Sequence, residues 1–93
     1  MIITNAAIFN GIRFIKENSV VTEKGKITRL FYSRKRPEKA IDLKGRILAP
    51  GLIDAHTHAA GGVDFLEIKT AKDAENARRA LLRQGVTSFL AAT

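Results

Sequence analysis

The Pro50-Gly51 pair divides this chain, because proline lacks the N–H that a strand ladder needs and the glycine beside it marks a turn. The most constrained stretch of the sequence follows: Leu-Ile-Asp-Ala-His-Thr-His over residues 52–58, then the small residues Ala59, Ala60, Gly61 and Gly62. A short apolar run bounded in this way reads as one buried strand ending in a loop. Side chains alternate along a strand, so Leu52, Asp54, His56 and His58 share one face while Ile53, Ala55 and Thr57 share the other. Next-but-one α-carbons stand about 7 Å apart, which lets two imidazoles converge on one cation. His56 and His58 are the chain's only histidines. Neutral imidazole suits zinc, iron, nickel or copper, and a His-x-His pair supplies two metal ligands from a single strand. Asp54, one step earlier on the same face, is placed to orient a histidine. Two histidines also occur together as plain surface or core residues; the apolar strand, the glycine loop and the adjacent carboxylate favour the metal reading here. Asp64 and Glu67 offer further oxygen donors in the loop, where solvated carboxylates are the simpler reading.

Beyond that loop the spacing predicts a helix over residues 70–84. Thr70 suits the N-cap, and Asp73 and Glu75 lie early, where the helix dipole favours negative charge. Ala74, Ala77 and Leu81 recur on one face, with Leu82 broadening it. Arg78, Arg79 and Arg83 favour the later turns, Glu75 can pair with Arg79, and Gly85 marks the stop. The nearly uninterrupted apolar run at residues 86–91 is expected of a parallel strand covered on both faces. Strand, loop, helix and strand make one βαβ unit, with a right-handed connection expected.

Ahead of Pro50 the pattern is different: short β-rich runs broken by turn chemistry. Residues 2–9 and 12–15 flank Asn10-Gly11, a two-residue hairpin signal because both residues tolerate positive φ. Residues 19–22 and 26–32 flank Glu23-Lys24-Gly25, a second hairpin candidate, and residues 40–43 and 46–49 flank a third turn at Lys44-Gly45. Such strands form a small sheet, too thin to be a full domain alone.

Sixteen Lys and Arg against nine Asp and Glu leave the 93-residue chain at +7, with Arg29, Arg34, Lys35, Arg36, Lys39, Lys44 and Arg46 clustered. Phe31 and Tyr32 among these charges fit a single-strand nucleic-acid binder. The segment 34–39 contains Pro37 and no apolar residue, so a solvated loop is the simpler account, and no nucleic-acid partner is expected. A phosphorylated substrate would tolerate this positive field. The absence of cysteine rules out disulfides and thiolate metal sites and suits a reducing compartment. No apolar stretch approaches the roughly 18 residues of a membrane span, and no basic region precedes a hydrophobic one at the start, so a cytoplasmic protein is the expectation.

Pro-Gly-Leu-Ile-Asp-Ala-His-Thr-His at residues 50–58 resembles the first barrel strand of the amidohydrolase superfamily, whose Pro-Gly-x-Ile-Asp-x-His-x-His stretch carries two metal ligands. Within it the resemblance is nearest to the N-acetylglucosamine-6-phosphate deacetylase family. The features that carry it are the loop Gly61-Gly62-Val63-Asp64-Phe65, the segment from Gln84 to Leu90, and the lead-in from Leu43 to Gly51. Ala59 departs from the family's usual glycine after the second histidine but keeps a small residue. Dihydroorotase-like or hydantoinase-like cyclic amidases share the histidine motif and stand as the alternative, with a small basic binding module as a third.

The resemblance implies an α/β fold: residues 1–49 as part of an accessory β-sandwich, and residues 50–93 as strand 1, helix 1 and strand 2 of a (β/α)₈ TIM-like barrel. A complete barrel needs about 250 residues, so the expectation is the N-terminal fragment of a longer enzyme. It also implies His56 and His58 as ligands of one or two divalent ions, zinc or iron, at the C-terminal end of a strand. The remaining ligands and an aspartate general base are expected beyond residue 93. The implied reaction is metal-assisted hydrolysis of the acetamido group of a phosphorylated amino sugar, N-acetylglucosamine 6-phosphate, by a homo-oligomer. Two histidines fall short of the three protein ligands of a catalytic zinc site, so the fragment alone is expected to be inactive.

Overall fold

The structure, a computed structural model, describes residues 1–92. The chain forms two compact units, Met1–Pro50 and a second beginning at Gly51.

Six short strands build the first unit: β1 (Ile2–Thr4), β2 (Ala7–Ile8), β3 (Ser19–Glu23), β4 (Lys26–Phe31), β5 (Ile41–Asp42) and β6 (Ile47–Leu48). They form a four-stranded sheet, β4-β3-β1-β5, and a two-stranded sheet, β2-β6. The expected strand over residues 2–9 is therefore broken. Asn5 takes φ 56°, a left-handed conformation that asparagine tolerates, and its side-chain amide donates to Asp42 Oδ1 at 2.9 Å. The partner segment bends in step. Lys44 (φ 52°) and Gly45 (φ 78°) make the turn expected of them, yet β5 and β6 do not pair with each other. Instead β5 runs parallel to β1 and β6 parallel to β2, and Gly45 N donates to Asn5 O at 2.7 Å where both segments change sheet.

The β3–β4 hairpin closes through Lys24 (φ 49°) and Gly25 (φ 75°), the two positive-φ positions that match the strand twist. Asn10-Gly11 differs from its expected two-residue hairpin. Asn10 Oδ1 accepts from both Ile12 N and Arg13 N at 2.9 Å, so the side chain organises a wider turn that leaves a single Phe9–Phe14 bridge. The core joins buried Ala6, Ile8 and Val20 to the partly buried Ile15, Leu43 and Leu48. Beside it, the buried hydroxyls of Thr4 and Ser19 bond each other at 2.7 Å, and Ser19 Oγ donates onward to Asn18 Oδ1, which satisfies both.

In the second unit β7 (Leu52–Thr57) lies parallel to β10 (Val86–Ala91), joined through α1 (Ala71–Arg83) as a βαβ unit requires. The small-residue run after the histidines is itself a hairpin, β8 (Ala59–Ala60) and β9 (Val63–Asp64), turned by Gly61 (φ 59°) and Gly62 (φ 78°) and followed by a 3₁₀ turn at Phe65–Glu67. A methyl on Gly61 would stand 2.8 Å from Ala80 Cβ, so glycine also lets this hairpin lie against α1.

Thr70 caps α1 reciprocally: Thr70 Oγ1 accepts from Asp73 N at 3.1 Å and Asp73 Oδ2 from Thr70 N at 3.0 Å. These bonds, those from Thr70 foremost, hold the Asp73 carboxyl below its ordinary range. Glu75 binds both Arg78 and Arg79 at 2.7 Å and is drawn down to about 2, chiefly by Arg78. Gly85 (φ 82°) ends the helix.

Burial corrects two expectations. The strand over residues 52–58 ends at Thr57 and is not buried: Leu52 and Ile53 are 60% and 76% exposed. Likewise β10, expected to be covered on both faces, buries only Val86. The reason is the reach of α1, whose buried Ala77 and Leu81 pack towards β8, β9 and β10. No helix among the described residues is long and apolar enough to cross a membrane.

Candidate metal centre

Two backbone frames position the two histidines. His56 lies within β7, whose pairing with β10 aligns Asp54 with Phe89 and Thr57 with Ala91; Ala92 N donates to Thr57 O at 2.8 Å and closes the ladder. His58 lies one step past the strand, at the root of the β8–β9 hairpin, where its carbonyl accepts from Phe65 N at 2.9 Å. Since β7 and β10 are parallel, both histidines sit at the strand end where active groups of parallel α/β folds gather.

The imidazoles converge. Their Nε2 atoms are 3.1 Å apart, with ring centroids 4.9 Å apart and planes crossed at 77°. Two nitrogens each about 2.0–2.1 Å from one zinc ion stand about 3 Å apart when they subtend an angle of roughly 100°. The donor set thus fits two ligands of one borderline-soft divalent ion. Both side chains are exposed, which leaves the pair open to further ligands. Among the described residues no group of three or more His, Cys, Asp and Glu side chains is assembled for a metal.

The carboxylates have other work. Asp54 Oδ1 accepts from the backbone N–H of His56 at 3.1 Å, so the contact it makes is with the main chain and not with a ring nitrogen. Asp64 Oδ1 accepts from Leu66 N at 2.9 Å and caps the 3₁₀ turn that contains Glu67. One contact is not readable from the sequence: Phe65 meets Phe89 with ring centroids 5.2 Å apart, tying the loop after the histidines to β10. The two residues are far apart in the chain and no periodicity links them.

A family model described as Amidohydrolase family matches residues 39–87, and the chain belongs to that family. Such enzymes are generally metal-dependent hydrolases. The chain is 37% identical over 94 residues to N-acetylglucosamine-6-phosphate deacetylase of Mus musculus, covering 92% of this chain and 22% of that protein. The Homo sapiens deacetylase is 35% identical over 92 residues, with the same coverage. A 5'-deoxyadenosine deaminase of Methanosarcina mazei is 47% identical over 47 residues, covering 50% of this chain and 11% of the deaminase. Among solved structures, N-acetylglucosamine-6-phosphate deacetylase from Pasteurella multocida superposes with a TM-score of 0.82 at 29% identity, over 98% of this chain and 25% of that one. Within the family, then, the chain is most like the N-terminal part of the sugar-phosphate deacetylases, and it spans about a fifth of the length of the mouse and human enzymes.

Proposed function

We propose that this chain supplies the first two metal ligands, His56 and His58, of an N-acetylglucosamine-6-phosphate deacetylase, which hydrolyses the acetamido group to release acetate and glucosamine 6-phosphate. The observation that carries the reading is the 3.1 Å approach of the two Nε2 atoms at the C-terminal end of β7. Support for this particular amide comes from the deacetylase likeness, which runs through both units, whereas the deaminase likeness covers half the chain. In this reading residues 1–49 belong to the accessory β-sandwich and residues 50–93 open the (β/α)₈ barrel. The remaining ligands and the general base come from later strands, and the enzyme works as a homo-oligomer in the cytoplasm.

The chain's own residues do three things in that scheme. His56 and His58 present imidazole nitrogens, each fixed by a different stretch of backbone. Asp54 holds the main chain of His56 and so sets the direction in which its ring leaves the strand. The Gly61-Gly62 turn closes the β8–β9 hairpin and lets it lie against α1. His56 and His58 would hold a divalent ion, zinc or iron, and that ion would supply polarisation of the amide carbonyl and acidification of a water towards a pKa of about 7.

In the complete protein, replacing both histidines, His56→Ala with His58→Ala, abolishes metal uptake; unchanged zinc or iron content by elemental analysis overturns the ligand assignment. Acetate release from N-acetylglucosamine 6-phosphate by the unaltered complete protein tests the substrate. The deaminase likeness defines the second reading, and ammonia release from 5'-deoxyadenosine without acetate release from the sugar phosphate selects it.

A further inference from the structure

The first unit contains a cavity of about 370 Å³ lined by three consecutive cations, Arg34, Lys35 and Arg36, together with Tyr32, Ser33 and Asn5 among its polar neighbours. Its volume falls in the range of small-molecule sites. The basic strap is fastened at both ends. At Ser33, Asn18 Nδ2 donates to the carbonyl and Asn18 Oδ1 accepts from the amide, both at 2.9 Å. Asn18 is itself held by the buried Ser19 hydroxyl. At the far end, Arg36 Nη2 donates to the carbonyl of buried Ala40 at 2.9 Å.

Arg34 and Lys35 lie between these anchors, and neither forms an ion pair among the described residues, whose only ion pairs join Glu75 to Arg78 and Arg79. The one carboxylate in the lining, Asp42, is already engaged: its Oδ1 accepts from Asn5 Nδ2 at 2.9 Å and from Lys44 N at 2.8 Å. Three adjacent like charges on a fastened loop repel one another, and a dianion bound among them removes that repulsion. Arginine offers a planar fork for an oxyanion and lysine a mobile point charge. Hydrogen-bonding groups of Tyr32 and Asn5 at the same wall suit a polar body attached to the anion.

We propose that this cavity, lined wholly by residues of the first unit, binds a small phosphate monoester gripped by Arg34 and Lys35. A single-stranded nucleic acid needs a groove with successive stacking surfaces, and among the described residues Tyr32 is the one aromatic residue lining this half-open cavity. The proposal does not depend on the deacetylase reading.

The test is an amide-resolved NMR titration of the 93-residue chain with inorganic phosphate and then with glycerol phosphate, at fixed ionic strength. Saturable shifts confined to Ser33–Arg36 and Asn5 are expected, with tighter binding of the ester. Arg34→Gln with Lys35→Gln weakens binding by about tenfold or more while the spectrum elsewhere is unchanged. Lys24→Gln, on the β3–β4 turn, leaves binding intact. Non-saturating shifts, or equal loss in the Lys24 variant, overturn the site. Oligothymidylate that binds the same amides more tightly than the ester also overturns it, in favour of a polyanion surface.

Discussion

The two units hold similar kinds of apolar residue and treat them differently. In the first, Ile8 and Val20 are 5% and 4% exposed and form a small core, although Ile27 and Ile47 in its outer strands stay 67% and 65% exposed. In the second, Leu52, Ile53, Phe89 and Leu90 remain 43% to 76% exposed although they lie in paired strands. Strand pairing and burial are thus separate achievements. Backbone ladders satisfy N–H and C=O groups, while burying a side chain needs a second layer packed against it. The first unit has that layer over β2 and part of β3, because its chain changes sheet at Asn5 and at Lys44-Gly45, but not over β4; the second has one helix, and it reaches only part of β10.

Truncation of core against surface breaks this contrast most directly. Ile8→Ala is expected to cost about 2–5 kcal/mol, and Ile53→Ala to stay within about 0.5 kcal/mol, in urea unfolding of the 93-residue chain. Equal costs would mean that β7 is buried in solution. Repeating Ile53→Ala in the complete protein sharpens the point, since a large cost there reports a covering layer.

Close packing does exist in the second unit at one place. A methyl at Gly51 would fall 2.1 Å from Thr87 Oγ1 and 2.7 Å from Thr87 Cβ. Gly51→Ala therefore forces β7 and β10 apart, at about 1–3 kcal/mol, seen as faster hydrogen exchange of the β10 amides. Adding Thr87→Gly removes the three atoms nearest that methyl and restores protection; failure of this rescue refutes the packing account.

Smaller effects concern α1. Thr70→Ala removes the cap on Asp73 N and should cost about 1 kcal/mol of helix stability, measured by loss of helical circular dichroism. The smallest is a pH effect. Glu75 sits at about 2 against an ordinary 4.5, because its charged form is bonded to Arg78 and Arg79. A lowered folded-state pKa stabilises above the ordinary value and is lost on acidification, so helicity should fall between about pH 4.5 and 2 more in the native chain than in Glu75→Gln. These groups are exposed, and molar salt should erase the difference.

Much of the local structure was legible because its causes are local. Thr70, Gly85, Lys24-Gly25 and Lys44-Gly45 act within a few residues of themselves, through caps and positive-φ turns, and each appears where its chemistry requires. Asn10-Gly11 misled because a side chain competed with the backbone: the asparagine oxygen took two amides and widened the turn. The alternation of residues 52–58 put both histidines on one face, but their 3.1 Å approach is a distance that no spacing rule supplies.

The sequence alone therefore determined the turns at Lys24-Gly25 and Lys44-Gly45, where the helix begins and ends, and which imidazoles face together, since dihedral preference and capping are properties of neighbouring residues. Only the tertiary structure decided that β5 pairs with β1 and β6 with β2, that Ser33 is held by Asn18, and that an apolar strand can be paired yet uncovered. Those outcomes join residues 15 to about 40 positions apart, and they rest on which surfaces meet, a quantity that no short window of sequence contains.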